Sequence, residues 1–209
     1  MKLLNLSRLV VAMAALLLNG LAAGVEVKCL GMTLANPGEQ LLKQYDLPAG
    51  PSGPIITAVH DPSFFPAGMA PTEGCAFWIV ESQANGMLFK VTNDQTPPTY
   101  RPKSIREFAE AILACTIAPE EHERLIRQTA EAARKHAETI THQPAERKRL
   151  LRIADSKMSP LDAGKWICRV VYRYPHKRGT MTTYLRMTKA DLDRVRELLK
   201  ESPRPGAAQ

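Results

Sequence analysis

The residues with the most distinctive chemistry are the cationic and aromatic side chains of one predicted hairpin near the C-terminus. Residues 165–175 and 180–188 alternate between apolar and polar positions, which is typical of β-strands with one buried face. No acidic residue lies between Asp162 and Asp191, whereas seven lysines and arginines do. Guanidinium groups bind carboxylates and phosphates through paired hydrogen bonds, so we predict a docking surface for an anionic partner. Its residues are Arg169, Arg173, Lys177, Arg178, Tyr184 and Arg186.

The same alternation predicts which side chains share a face of this hairpin. Arg169 and Arg173 lie on one face of the first strand, whereas Cys168 and Tyr172 lie on the other. An alternative interpretation is a solvated outer face that is neutralised from elsewhere in the chain. The candidate counter-charges are Glu107, Glu110 and the acidic residues of the N-terminal half.

Catalytic motifs are poorly represented among the histidines. None of the five histidines stands in an HExxH motif, and the sequence contains no glycine-rich phosphate loop, so we predict neither a metal nor a cofactor. His60 and Asp61 form the one acid/base candidate and support the hypothesis of a small periplasmic hydrolase. Adjacent residues of an extended chain point in opposite directions, however, and "HDP" is typical of a turn in which Asp61 bonds its own backbone. We therefore predict a non-catalytic protein.

The N-terminal segment resembles a secretory signal peptide. Lys2 and Arg8 precede an apolar run over residues 9–18, and small residues follow up to position 24. Asn19 and Gly20 interrupt the run well short of the roughly 20 residues that a membrane-spanning helix requires. We predict that residues 1–24 are removed, which gives a periplasmic or secreted protein with no stable membrane span. The alternative is a retained anchor.

The four cysteines are predicted to form structural disulfides after export. Oxidising compartments favour such bonds, and no pair of cysteines has the short spacing of a redox or zinc motif. Four cysteines allow three pairings, which the sequence cannot distinguish. We expect Cys29 to pair with Cys75 and Cys115 with Cys168, because each bond would then join neighbouring elements within one half of the chain.

Charge is distributed unevenly along the chain. Residues 25–99 carry a net charge of −4, and the remainder of the exported chain carries +9. This asymmetry predicts an acidic protein or an anionic envelope polymer as the partner of the C-terminal half. We expect no nucleic acid, because the protein is predicted to be exported and has no helix-turn-helix, zinc-finger or RNA-binding motif.

Short strands and loops precede helices along the chain, which predicts an α+β fold. The first half contains a predicted hairpin over residues 75–82 and 87–93. Helices are expected from Ser104 to about residue 115, over 118–142, over 144–158 and over 189–201. The fold class is therefore one or two small antiparallel sheets, built from two hairpins, against three to four helices and braced by disulfides. We expect one domain over residues 25–202, acidic and strand-rich over 25–99 and basic over 100–202, and a disordered tail over 203–209.

These observations together favour an exported binding protein that docks its partner through the basic hairpin. An inhibitor or immunity-type protein fits this description. An accessory subunit of an envelope secretion or conjugation apparatus fits it as well. The small hydrolase with His60 and Asp61 is the third hypothesis.

Overall fold

The computed structural model describes residues 26–48, 52–82, 99–155, 158–176 and 179–201. Their seven strands form one antiparallel sheet in the order β1-β2-β3-β4-β6-β7, with β5 paired beside β4. The α+β prediction is confirmed, although the sheet has more strands than two hairpins would supply. The strands are β1 (Glu26–Cys29), β2 (Met32–Ala35), β3 (Ile55–Val59), β4 (Ala76–Glu81), β5 (Thr99–Tyr100), β6 (Trp166–Arg173) and β7 (Thr180–Met187).

Five α-helices accompany the sheet in the described residues, of which the first is a short one that the sequence suggests only weakly. The helices are α1 (Glu39–Gln44), α2 (Ile105–Cys115), α3 (Pro119–Thr139), α4 (Pro144–Ala154) and α5 (Lys189–Glu201). A short 3-10 helix, Pro62–Phe64, interrupts the loop between β3 and β4.

Side chains cap the N-termini of α2 and α5. The Ser104 hydroxyl accepts a hydrogen bond from the Glu107 amide at 3.2 Å, which satisfies an amide that has no partner within the helix. At α5, the Thr188 amide donates to the Asp191 carboxylate at 2.8 Å, and the Asp191 amide donates to the Thr188 hydroxyl at 3.2 Å. This reciprocal arrangement is a capping box. Each cap fixes the point at which its helix begins.

A tight turn joins β1 to β2, a strand that the sequence analysis does not predict. Leu30 and Gly31 both have positive φ angles, of 51° and 72°. Two successive residues with positive φ form the turn whose twist matches a two-stranded hairpin. Because Leu30 is not a residue type that favours this conformation, the turn has little signature in the sequence.

The main hydrophobic core lies between one face of the sheet and helices α2 and α5. Phe77 of β4 stacks on Phe108 of α2, with ring centroids 4.4 Å apart. Cys168 and Leu185 of the β6–β7 hairpin contribute to the same core, and Val195 of α5 is fully buried against it. The apolar face of the hairpin is therefore a core surface.

Two smaller clusters stabilise the rest of the described chain. Ile55 and Ala76, which are paired across β3 and β4, are buried with Leu47 against helix α1. Helices α3 and α4 pack against each other through a separate cluster of small residues and one leucine, which comprises Ala133, Ala137, Leu150 and Ala154. The distal half of α3 thus depends on α4 for its packing.

The disulfide part of the fold prediction is not supported, because all four cysteines are free thiols in the structure. The pairing of Cys29 with Cys75 is wrong for a geometric reason. Cys29 ends β1 and Cys75 directly precedes β4, so β2 and β3 lie between them. Three inter-strand spacings of about 4.8 Å separate these strands, whereas disulfide-bonded Cα atoms are about 4.4–6.8 Å apart.

Besides two residues at the tip of the hairpin, three predicted segments lie outside the described residues. They are the signal peptide over residues 1–24, the second arm of the N-terminal hairpin over 87–93 and the tail over 203–209. Among the described residues, none of the helices is long and apolar enough to cross a membrane.

Candidate functional site

The register of the β6–β7 hairpin confirms the predicted separation of its two faces. Arg169 is paired with Tyr184, and Ile167 is paired with Arg186. Directly opposed residues of an antiparallel pair project to the same side of the sheet, so the predicted binding residues of the two strands share one face. Ile167 is nevertheless fully buried on that face. Part of the surface predicted for docking is therefore covered.

Arg186 is a buried structural residue and does not belong to an open docking surface. Its side chain is 9% exposed, and its Nε donates to Oδ1 of Asp162 at 2.5 Å. Its Nη1 also donates to the carbonyl of Phe65 at 3.1 Å, which ties β7 to the loop between β3 and β4. The predicted role of Arg186 in partner binding is thus replaced by an internal ion pair.

Tyr184 is bonded to the same carboxylate. Its hydroxyl donates to Oδ2 of Asp162 at 3.1 Å, and burial raises the pKa of the phenol. Asp162 lies in the loop before β6 and is buried. In the sequence, Asp162 stands only at the border of the acid-free stretch, and it was not predicted as the counter-charge. Its proximity in sequence to the hairpin is the signal that could have identified it.

Arg169 is neutralised from the N-terminal half of the chain. Its Nη1 lies 3.2 Å from Oε1 of Glu81, and the two residues are directly paired between β6 and β4. Their side chains are 28% and 14% exposed. For Arg169, the alternative interpretation of a face neutralised by N-terminal acids is the one that the geometry supports.

Arg173 has a different environment, because its partner is an aromatic ring. Its guanidinium lies 4.2 Å from the ring centroid of Trp78, and the guanidinium of Arg101 lies 5.5 Å from the same centroid. Neither arginine has a carboxylate within salt-bridge distance in the part of the chain that the structure describes. We call Trp78, Arg101 and Arg173 the Trp78 patch. Arg101 is missing from the predicted site because it follows β5, a strand with no sequence signature.

The tip of the hairpin is only partly described. Lys177 and Arg178 lie outside the described residues. His176, just before them, has a φ angle of 51°, and its Nδ1 lies 3.7 Å from a carboxylate oxygen of Asp46. Both of these side chains are largely exposed.

His60 and Asp61 do not form a dyad, because each is bonded to another residue. Nε2 of His60 lies 2.7 Å from the hydroxyl of Thr33. The carboxylate of Asp61 accepts a hydrogen bond from the Ser63 amide at 2.9 Å and caps the short 3-10 helix. Hydrogen bonding from the Ser63 side chain, followed by that from its amide, lowers the pKa of Asp61. The geometry is that of a structural turn, and both residues are exposed.

The cysteines are poor nucleophiles in this fold. Burial, followed by the charge of Asp191, raises the pKa of Cys29 to about 12, and burial followed by the charge of Glu81 raises the pKa of Cys115 to about 12. Burial also raises the pKa of Cys168. Because the thiolate is the reactive form, none of these buried thiols suits a catalytic nucleophile in the folded protein.

His122 is the one buried histidine in the described chain. It lies on α3, is 2% exposed, and its Nδ1 has no hydrogen-bond partner among the described residues. Burial lowers its pKa, and the nearby charge of Asp162 opposes that effect. The described residues include no cluster of histidines, cysteines and carboxylates that could hold a metal ion.

Comparisons with known proteins identify no relative: the chain matches no protein-family model, no curated protein and no solved structure.

Proposed function

We propose that this protein is an exported, non-catalytic binding protein whose Trp78 patch docks an anionic macromolecule. One observation carries the proposal. Two guanidinium groups lie over a half-buried indole ring, 4.2 and 5.5 Å from its centroid, and have no carboxylate partner among the described residues. The prediction of a basic docking surface is thereby reassigned from the whole hairpin to Arg173 and its neighbours.

Stacking suits these arginines to anion recognition. A guanidinium that lies over an aromatic ring uses its face for the cation–π contact and keeps the N–H donors of its edge available. Two such groups beside one ring could together donate hydrogen bonds from their N–H groups to carboxylates or phosphates. By contrast, Arg169 and Arg186 already form ion pairs with Glu81 and Asp162.

An inhibitor or immunity-type protein that neutralises an acidic hydrolase or toxin is the preferred class. Such proteins act through a rigid surface, and the patch is built on paired strands β4 and β6. An accessory subunit of an envelope secretion or conjugation apparatus would use the same surface. The hydrolase hypothesis has no comparable support, because His60 and Asp61 are each bonded elsewhere.

We also propose a single disulfide in the exported protein, between Cys115 and Cys168. Both thiols are buried in the main core, and each lies beside the isolated bridge between Ile117 and Ile167. Their proximity is sufficient for a charge on Cys115 to raise the pKa of Cys168. Oxidation would release two protons and transfer two electrons to a thiol–disulfide oxidoreductase, which is the usual oxidant of an exporting compartment.

The test of the docking function is a charge reversal at the patch. We expect the double variant Arg101→Glu/Arg173→Glu to lose most of its binding to immobilised poly-L-glutamate and polyphosphate, and to capture no specific protein from an envelope extract. The two polyanions distinguish carboxylate from phosphate recognition. Cation–π contacts at exposed sites contribute only about 0.5–1 kcal/mol each, so the variant should remain folded.

The matched control is Lys135→Glu/Lys148→Glu, which changes the net charge equally at exposed positions of α3 and α4. This control should bind as the unmodified protein does. Equal retention of binding by both double variants would show that the Trp78 patch is not the docking surface.

A further inference from the structure

A second surface with recognition chemistry lies at the end of β7 and the beginning of α5. There an open groove of about 930 Å³ runs between the loop over residues 61–70, the segment 161–165 and the first turn of α5. We call it the α5 groove. Its volume falls in the range of about 300–1,000 Å³ that is typical of ligand sites.

The lining of the α5 groove is largely apolar, and one of its apolar side chains projects into solvent. The loop contributes mainly prolines, alanines and Phe64. Opposite, Leu161 is 65% exposed, which is the highest exposure of any large hydrophobic side chain in the described residues. Leu161 directly precedes Asp162, whose ion pair with Arg186 holds this segment in place. A leucine held outward beside an apolar loop is a pre-organised contact for another apolar side chain.

The α5 groove carries two cations, Lys165 and Arg194, that are not held in a short ion pair within the described residues. Lys165 has no carboxylate partner among the described residues, and Arg194 is 83% exposed with only a 3.9 Å contact to Asp191. The two acids in the lining are engaged locally. Asp61 caps the 3-10 helix, and Asp191 caps α5 through Thr188. An occupant with carboxylates would therefore meet two available cations.

The outer edge of β7, next to the groove, could hydrogen-bond the backbone of an added strand. Strand β7 is the last strand of the sheet, so its outer edge has no strand neighbour within the described ranges. It pairs with β6 over eight residues without a bulge, contains no proline, and has Arg186 as its one charged residue. Proteins usually protect such edges with charges, prolines, bulges or a covering segment. The 3-10 helix Pro62–Phe64 contacts β7, and Arg186 bonds the Phe65 carbonyl, so this segment covers part of the strand. The rest of the outer edge has no strand beside it in the described residues, and such an edge can accept an extended peptide. β7 ends where the lining of the α5 groove begins.

We infer that the α5 groove binds an extended segment of a partner protein that alternates acidic with large apolar residues. The segment's backbone extends the sheet along β7, its apolar side chains contact Leu161 and Phe64, and its carboxylates bind Lys165 and Arg194. The inference rests on the proposed docking function and specifies the partner as a protein with an acidic strand. The unpaired edge favours a peptide over a lipid, because a lipid tail cannot use backbone hydrogen bonds.

The experiment is a selection of random nine-residue peptides displayed on phage against the full exported chain. We expect enrichment of peptides that combine aspartate or glutamate with leucine, isoleucine or phenylalanine. A synthetic peptide of the enriched sequence should bind at least tenfold more weakly to Leu161→Asp and to Lys165→Glu/Arg194→Glu. Amide hydrogen exchange in residues 180–187 should slow when the peptide is bound.

Controls separate this site from non-specific effects and from the Trp78 patch. Leu151→Asp and Lys135→Glu/Lys148→Glu introduce the same changes on α3 and α4 and should bind the peptide within twofold of the unmodified protein. Circular dichroism melting verifies that every variant is folded.

Several results would overturn the inference. They are the absence of an enriched consensus, enrichment of basic peptides, undiminished binding by both groove variants, or unchanged exchange in β7. Binding of phosphatidylglycerol vesicles that Leu161→Asp abolishes, in place of peptide binding, would make the groove a lipid site. If the α5 groove binds no peptide but the Trp78 patch still binds polyanions, only this inference is lost. If Arg101→Glu/Arg173→Glu keeps polyanion binding, the proposed docking function is lost instead.

Discussion

Replacement of Arg186 by glutamine tests whether the basic hairpin is partly a structural device. The variant removes a charge whose side chain is 9% exposed and leaves Asp162, 7% exposed, with one donor, the Tyr184 hydroxyl. It also removes the donor to the carbonyl of Phe65. An acid that is buried without its counter-ion must be desolvated without compensation.

The expected magnitude follows from this burial. Removal of one partner of a buried ion pair costs about 3–5 kcal/mol, and for a chain of this size each kcal/mol lowers the melting temperature by about 2–4 °C. We therefore expect Arg186→Gln to melt about 6–20 °C below the unmodified protein. Arg173→Gln, which removes an arginine from the half-buried ring of Trp78, should lose less than about 4 °C.

The assay is circular dichroism melting combined with a double-mutant cycle. Asp162→Asn/Arg186→Gln removes both charges and leaves no lone buried ion, so its loss of stability should be smaller than the sum of the single losses. A melting temperature of Arg186→Gln within about 2 °C of the unmodified protein would refute the reasoning. A coupling energy near zero would refute it as well, because the two side chains would then not depend on each other.

Three further predictions test other parts of the structure. Burial lowers the pKa of His122 in the folded protein, so the unfolded chain binds more protons than the folded chain in acid. The free energy of unfolding should therefore fall as the pH drops below about 6.5. In melts between pH 8 and 5, His122→Gln should lessen this dependence. Thiol titration of denatured, unreduced exported protein should find two free thiols if Cys115 and Cys168 are bonded, with four counting against the bond. Ser104→Ala removes the cap on the Glu107 amide and should cost about 1 kcal/mol in denaturant unfolding, whereas an unchanged midpoint would mean that the cap is not formed in solution.

The local architecture could be predicted from the sequence to a large extent. The Ser104 cap and the capping box of Thr188 and Asp191 depend on residues within a single helical turn, and both are present. The period-two pattern of the hairpin assigns its faces, because side-chain direction in a strand depends on position alone. β2 was not predicted because Leu30 adopts the positive φ of the preceding turn, a conformation that leucine rarely adopts.

The candidate site was predicted less well, for reasons of distance along the chain. The arginines of the hairpin are either paired with an acid inside the protein or left without one, and the sequence does not distinguish the two cases. Arg186 is sequestered by a buried acid, whereas Arg173 stacks on a ring that lies 95 positions earlier in the chain. The error over Cys29 and Cys75 has the same origin, because strands close in sequence were assumed to be close in the sheet.

The sequence by itself determined the helices, the strands of the C-terminal hairpin, the side of the sheet on which each hairpin residue lies and the excess of positive charge in the C-terminal half. These properties depend on residue types and on the fixed periods of helix and strand. Only the tertiary structure decided which cations are neutralised and which remain available. Ion pairing and stacking require atoms to approach within a few ångströms, and the strand order that brings Glu81, Asp162 and Trp78 beside the hairpin is set by packing of the whole sheet.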